Sequence, residues 1–205
     1  MLRQPAKALL IDLDGVVRRW DPSVAAGVES SYGLAPGTLM RTAFDWELLR
    51  PAVAGEMTDA EWMWLIAKRL PLDFDVAEKA VAEWQQHRGE VDPAVLAFVR
   101  EVRAAGRPVG LATNATDRLR GDLTALGLTD EFDAIVSSTE LRIHKPAPEF
   151  FAGACQAVGL QAPWVLFVDD DDRVVRGARA AKLLAFRWTG GQDLPYLRKA
   201  LGLGQ

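Results

Sequence analysis

The chain has 205 residues, 49% of them hydrophobic and 25% charged, a composition that excludes disorder and collagen-like repeats and suits one compact unit or a domain with an insert. Its 24 Lys and Arg against 28 Asp and Glu give a net charge of −4, so no basic surplus exists to neutralise a nucleic-acid backbone or an anionic membrane. The single Cys155 excludes an intrachain disulfide, and with His87 and His144 it cannot build a closed His/Cys zinc site. These features predict a cytoplasmic protein, a monomer or homodimer, with neither nucleic acid nor membrane as partner.

The first eight residues are mixed and lead into Leu9-Leu10-Ile11, an apolar run too short for a signal peptide. No stretch reaches the ~18 apolar residues of a spanning helix, and no internal repeat is visible. Five short apolar runs, at residues 8–11, 108–112, 134–136, 164–168 and 184–186, read as buried strands. Between the later ones lie helical patterns, and strands alternating with helices predict an α/β fold with a doubly wound parallel sheet.

The gap between Ile11 and Pro108 far exceeds the dozen or so residues that a crossover needs, so something is inserted there. Its content is helical. Asp21-Pro22 reads as a cap and first-turn proline, and Thr58-Asp59-Ala60-Glu61 has capping-box spacing before Trp62, Trp64, Leu65 and Ile66. Residues 75–86 supply another helix, and Asp92-Pro93 starts one through Arg103, ended by Gly106, that returns to the sheet. The insert is placed at residues 17–90, with the core formed by 1–16 and 91–205. Trp46, Trp62, Trp64 and Trp84 fall inside the insert, where a small bundle needs bulky side chains, so all four are expected in its core, with lining a ligand pocket as the alternative.

In a doubly wound sheet, ligands bind beyond the carboxyl ends of the strands. The first run ends in Asp12-Leu13-Asp14-Gly15, the second in Thr113-Asn114, the third is followed by His144-Lys145-Pro146, and the fourth ends in Asp169-Asp170-Asp171-Asp172. Carboxylates packed together repel and raise one another's pKa unless a cation neutralises them. Oxygen donors without cysteine or a histidine pair point to Mg²⁺, which typically binds one or two carboxylates plus phosphate oxygens, so the substrate should be a phosphate. A calcium-binding EF-hand loop starting at Asp12 fails, because its twelfth position is Ser23 instead of glutamate.

These residues resemble the four motifs of the haloacid dehalogenase-like hydrolase superfamily, spread over residues 8–187. Residues 11–17 resemble the first motif, Ala112-Thr113-Asn114 the second, His144-Lys145-Pro146-Ala147-Pro148 the third and Phe167-Val168-Asp169-Asp170 the fourth. The helical insert after the first strand is similar to the cap of that family's phosphatase branch. The chain departs at Val174, where relatives often carry asparagine, which is read as a change in helix capping or support.

The resemblance implies that Asp12 is the nucleophile, forming an aspartyl phosphate, and that Asp14 protonates the leaving alcohol and then activates water. It further implies Mg²⁺ on the Asp12 carboxylate, the Asp14 main-chain carbonyl and the Asp169 carboxylate, with Asp170 in support. Thr113 and the Asn114 amide would hold phosphoryl oxygens while Lys145 balances charge. Hydrolytic dehalogenases of the superfamily normally lack an acid at the place of Asp14, since a halide needs no proton, so Asp14 argues for a phosphatase. A phosphomutase would use the same residues. A signalling receiver domain would carry its acidic pair after the first strand instead of the fourth, and an interaction protein without catalysis would retain every reactive group to no purpose. Arg18, Arg19, Trp20 and Arg50 read as surface charges and hinge packing, with contact to the substrate's distal part as the alternative. A cap of this size suits a small phosphorylated metabolite.

Overall fold

The computed structural model describes residues 4–203, so residues 1–3 and 204–205 of the expected core lie outside the described residues. Strand β1 (Ala8–Ile11) is followed by β2 (Arg18–Arg19), then by α1 (Pro22–Ser31), α2 (Thr38–Ala43), α3 (Trp46–Val53), α4 (Asp59–Arg69) and α5 (Phe74–Gln86), and by β3 (Glu90–Val91). The chain continues through α6 (Pro93–Ala104), β4 (Val109–Thr113), α7 (Leu119–Ala125), β5 (Ala134–Ser137), α8 (Ser138–Leu141) and α9 (Pro148–Ala157). It finishes with β6 (Val165–Asp169), α10 (Asp172–Ala180), β7 (Leu184–Arg187) and α11 (Leu194–Ala200).

Five strands pair in parallel in the order β5-β4-β1-β6-β7, so the fold is α/β with a doubly wound sheet. The three central strands are buried along their whole length, which is why they read as unbroken apolar runs and not as alternating patterns. Alternation reappears in what each residue touches. Leu9 and Ile11 join Phe98 and Val102 of α6, Leu123 of α7 and Leu197 of α11 on one face. Leu10 joins Phe150 and Phe151 of α9 and Ala178 of α10 on the other. Val174 is buried on that second face, so its departure from the family pattern serves packing, while Asp171 caps α10 by accepting from the Arg173 amide at 2.7 Å. At the centre, Gly110 stands opposite Leu10, where a Cβ would come within 2.8 Å of the leucine Cδ2.

The helices α1–α5 enclose a cluster of their own, with Val28, Leu39, Leu48, Ile66 and Ala80 at its centre. The expected capping box closes α4: the Glu61 amide donates to Thr58 Oγ1 at 3.2 Å and the Thr58 amide to Glu61 Oε2 at 2.8 Å. Where the chain enters and leaves this segment, β2 and β3 pair antiparallel, with Arg18 opposite Val91. Strands of two residues show no periodicity, so this stem has no signature in the sequence.

The placement of all four insert tryptophans in a core needs correction. Trp62 is buried and Trp84 packs against the cluster, but Trp46 and Trp64 are 42% and 44% exposed. Residues two apart on a helix point about 200° apart, so α4 cannot bury both Trp62 and Trp64. Trp64 instead lies against Phe74 and under the Lys68 ammonium, 3.9 Å from its ring. Trp46, at the start of α3, faces the other way and meets His144 edge-on at 5.2 Å.

Candidate active site

The polar residues gather where β1, β4 and β6 end. The ladder continues one step past β1, with the Asp12 amide donating to Val168 O at 2.9 Å, and this fixes the Asp12 side chain at the sheet edge. Its Oδ1 accepts from the Leu13 amide at 2.8 Å. The chain then turns tightly: the Arg18 amide donates to Leu13 O at 2.7 Å and the Gly15 amide to Arg18 O at 2.9 Å. Gly15 sits at φ +79°, and a Cβ there would fall 2.1 Å from Asp170 Oδ2, so glycine is required by conformation and by contact alike.

Thr113 and Asp169, the last residues of β4 and β6, are both buried. Lys145 arrives between α8 and α9, 2% exposed, and its ammonium lies 2.8 Å from Asp12 Oδ1 and 2.6 Å from Asp169 Oδ2. Asn114 sets that lysine in place. Its Oδ1 accepts from the Lys145 amide at 2.8 Å and its Nδ2 donates to Lys145 O at 3.2 Å. Both ends of the Asn114 side chain are thereby engaged in orienting the main chain of Lys145.

Carboxylate oxygens of Asp12, Asp169 and Asp170 all lie within 4.8 Å of one another, so Asp170 stands in the cluster itself. Burial pushes the Asp12 carboxyl up from its ordinary 3.8 to about 7; the charges of Asp169 and Asp14 add to the rise and Lys145 opposes it. Asp170 is also raised, by burial first and by the Asp169 charge second. Burial alone would depress Lys145, but the flanking Asp12 and Asp169 carboxylates outweigh it and hold the ammonium above its usual range. With all three carboxyls ionised, the one ammonium leaves two negative charges in a site of oxygen donors. That deficit and that donor set fit a hard divalent cation such as Mg²⁺.

The Asp14 carboxylate stands outside this cluster and is 40% exposed. Its Oδ1 accepts from Arg18 Nε at 2.7 Å and Trp20 Nε1 at 2.6 Å, and its Oδ2 from Arg18 Nη2 at 3.0 Å. Arg18 therefore corrects its reading as a surface charge: it is 5% exposed because Asp14 and Asp122 neutralise it within the fold, the latter at 2.9 Å from Nη1. Arg19 and Arg50 do sit at the surface, the second paired with Glu56 at 2.9 Å. A further tie was invisible in the sequence. Asp59, at the start of α4, accepts from Thr116 Oγ1 and from Gln85 Nε2, each at 2.8 Å, and its amide donates to Asp117 Oδ1 at 2.8 Å. The bonds to Thr116 and Asp117 fasten the insert to the loop that follows Thr113 and Asn114, while Gln85 ties α5 to α4 within the insert. Nothing local marks Asp59 or Asp122, since a carboxylate near a helix start is ordinarily solvated.

A sequence model described as haloacid dehalogenase-like hydrolase matches residues 6–182. The chain is 32% identical over 179 residues to the phosphoglycolate phosphatase of Yersinia pestis, covering 86% of this chain and 71% of that protein. It is 32% identical over 105 residues to the fructose-1-phosphate phosphatase YqaB of Escherichia coli, covering 51% of this chain and 56% of that protein, so this match spans little more than half of the relative's length. Among solved structures, an enzyme from Bacteroides thetaiotaomicron in complex with magnesium and inorganic phosphate superposes with a TM-score of 0.73. That likeness covers 94% of this chain and 98% of the other at 20% identity, which speaks for the fold alone.

Proposed function

Because the chain belongs to the haloacid dehalogenase-like hydrolases, we propose that it is a Mg²⁺-dependent phosphatase that hydrolyses a small organic phosphate monoester through an aspartyl phosphate. The observation that carries this reading is the state of the Asp12 carboxylate. Leu13 and Lys145 hold its Oδ1, which leaves Oδ2 to attack phosphorus. The new bond from Oδ2 to phosphorus forms as the bond to the leaving alcohol breaks, and Asp14 gives that oxygen its proton. Water then attacks the aspartyl phosphate, Asp14 takes the water's proton, the bond to Oδ2 breaks and inorganic phosphate departs.

The Thr113 hydroxyl and, since the Asn114 side chain is engaged, the Asn114 main-chain amide hold phosphoryl oxygens, while Lys145 offsets charge on phosphate and Asp12. Asp12, the Asp14 main-chain carbonyl and Asp169 hold Mg²⁺, with Asp170 in support beside them. When bound, the ion supplies charge neutralisation for the phosphoryl group. Residues 17–90 act as a cap above this edge and residues 1–16 and 91–205 as the core, the cap selecting the leaving group by its size. The named relatives act on a phosphorylated hydroxy acid and a sugar phosphate, which makes small phosphorylated metabolites of those classes the first substrates to try. The protein works in the cytoplasm as a monomer or homodimer.

Purified protein with Mg²⁺ should release inorganic phosphate from an aryl phosphate and from members of such a panel without a bisphosphate activator, which a phosphomutase would require. Asp12→Asn should abolish that release. A rate unchanged by the substitution would overturn the reading.

A further inference from the structure

We infer that Arg18 is a positioning residue that sets the Asp14 carboxylate for proton transfer, an assignment that rests on the phosphatase reading above. A carboxylate has about four acceptor positions. Arg18 Nε and Trp20 Nε1 fill both on Oδ1, and Arg18 Nη2 fills one on Oδ2, so a single lone pair on Oδ2 is left to carry the proton. The grip has two prongs in one plane, which fixes the rotation of the carboxyl group as well as its place.

Arg18 is held in its turn. Its remaining terminal nitrogen, Nη1, meets Asp122 Oδ2 of α7 at 2.9 Å, and Asp122 Oδ1 accepts from Arg118 Nε at 3.2 Å. The Trp20 ring lies over the guanidinium at 4.6 Å, and Gly89 packs so closely on the side-chain stem that a Cβ there would fall 2.8 Å from Arg18 Cγ. The β2–β3 pairing fixes the backbone. A path of short polar contacts thus runs from helix α7 through Arg18 to Asp14, at the point where the chain passes from core to insert. Placement of the reacting group within about an ångström is worth on the order of a hundredfold in rate.

A structural role for Arg18, neutralising Asp122 and supporting the stem, would predict loss of rate on all substrates alike. The positioning role predicts that formation of the aspartyl phosphate slows only where the leaving group needs a proton, while its hydrolysis, which also uses Asp14, slows to the same extent for every ester. In a series of phosphate esters with Mg²⁺, Arg18→Gln should lower kcat/KM, which reports the steps up to loss of the alcohol, about 100-fold for alkyl esters and less than about tenfold for dinitrophenyl phosphate, since that phenol leaves unprotonated. Arg18→Lys, which keeps the charge but not the fork, should fall between.

On an Asp14→Asn background, Arg18→Gln should cost nothing further, because the residue it acts through is gone. Should Arg18→Gln fail to fold, the exposed Trp20→Phe and the anchor change Asp122→Asn carry the same test, each expected to shift the alkyl-to-aryl ratio in the same direction. Equal losses of kcat/KM on both ester types, or additive losses on the Asp14→Asn background, would overturn the assignment while leaving the phosphatase reading intact. Absence of phosphate release from every ester by the unaltered protein would instead sink that reading, and this inference with it.

Discussion

Asp12→Asn should make the metal-free protein more stable, by an amount that depends on pH in a defined way. The unfolded chain releases the Asp12 proton near the ordinary 3.8, whereas the folded chain holds it to about 7 because burial penalises the carboxylate more than Lys145 relieves it. An acid raised on folding contributes stability that is fully present below the unfolded value and is lost as pH rises through the folded one. Here the loss runs from about pH 4 to about pH 7, and at about 1.4 kcal/mol per pH unit it reaches about 4 kcal/mol. Asparagine is a close copy of the neutral acid and has no proton to lose, so the variant escapes the whole penalty. In urea denaturation with a chelator present, the two proteins should coincide near pH 4. Asp12→Asn should pull ahead by up to about 4 kcal/mol at pH 8, the ceiling being softened by the high effective dielectric of real sites. Mg²⁺ should narrow or reverse the gap, since binding stabilises only the form that binds it. A difference independent of pH, or a variant less stable at pH 8 than at pH 4 relative to the unaltered chain, would refute the reasoning that burial dominates this carboxylate.

Gly15→Ala should cost about 1–2 kcal/mol from the left-handed φ. It should also weaken Mg²⁺ binding about 10- to 100-fold by driving Asp170 out of the carboxylate cluster; calorimetric titration with Mg²⁺ beside a thermal melt separates the two effects. Thr58→Ala, which removes one half of a surface capping box far along the insert, should cost about 1 kcal/mol in chemical denaturation and leave the Mg²⁺ affinity unchanged.

Much of the core was legible because the chemistry that marks it is local. A strand buried on both faces must be apolar throughout, and its polar end must be where a ligand binds, so the runs ending at Asp12, Thr113 and Asp169 announced both the sheet and its reactive edge. The capping box at Thr58 and the aspartate–proline helix starts at residues 21–22 and 92–93 are equally short-range signals. Two-residue β2 and β3 fall below the length at which any periodicity exists, and a tryptophan's apolarity does not by itself put it on the buried face of a helix, so Trp46 and Trp64 lie outside the core.

The amino-acid order determined which residue types stand at the strand ends, and hence the acidic, cation-demanding character of the site. Only the tertiary structure decided their partners. Lys145 lies between Asp12 and Asp169, Asp170 joins the cluster, and Arg18 turns from a surface charge into a buried clamp between Asp14 and Asp122, the latter 104 residues away along the chain. Hydrophobic periodicity is written over a few residues, but a charged group is neutralised by whatever the packed chain brings within a few ångströms of it, and that depends on every crossover at once.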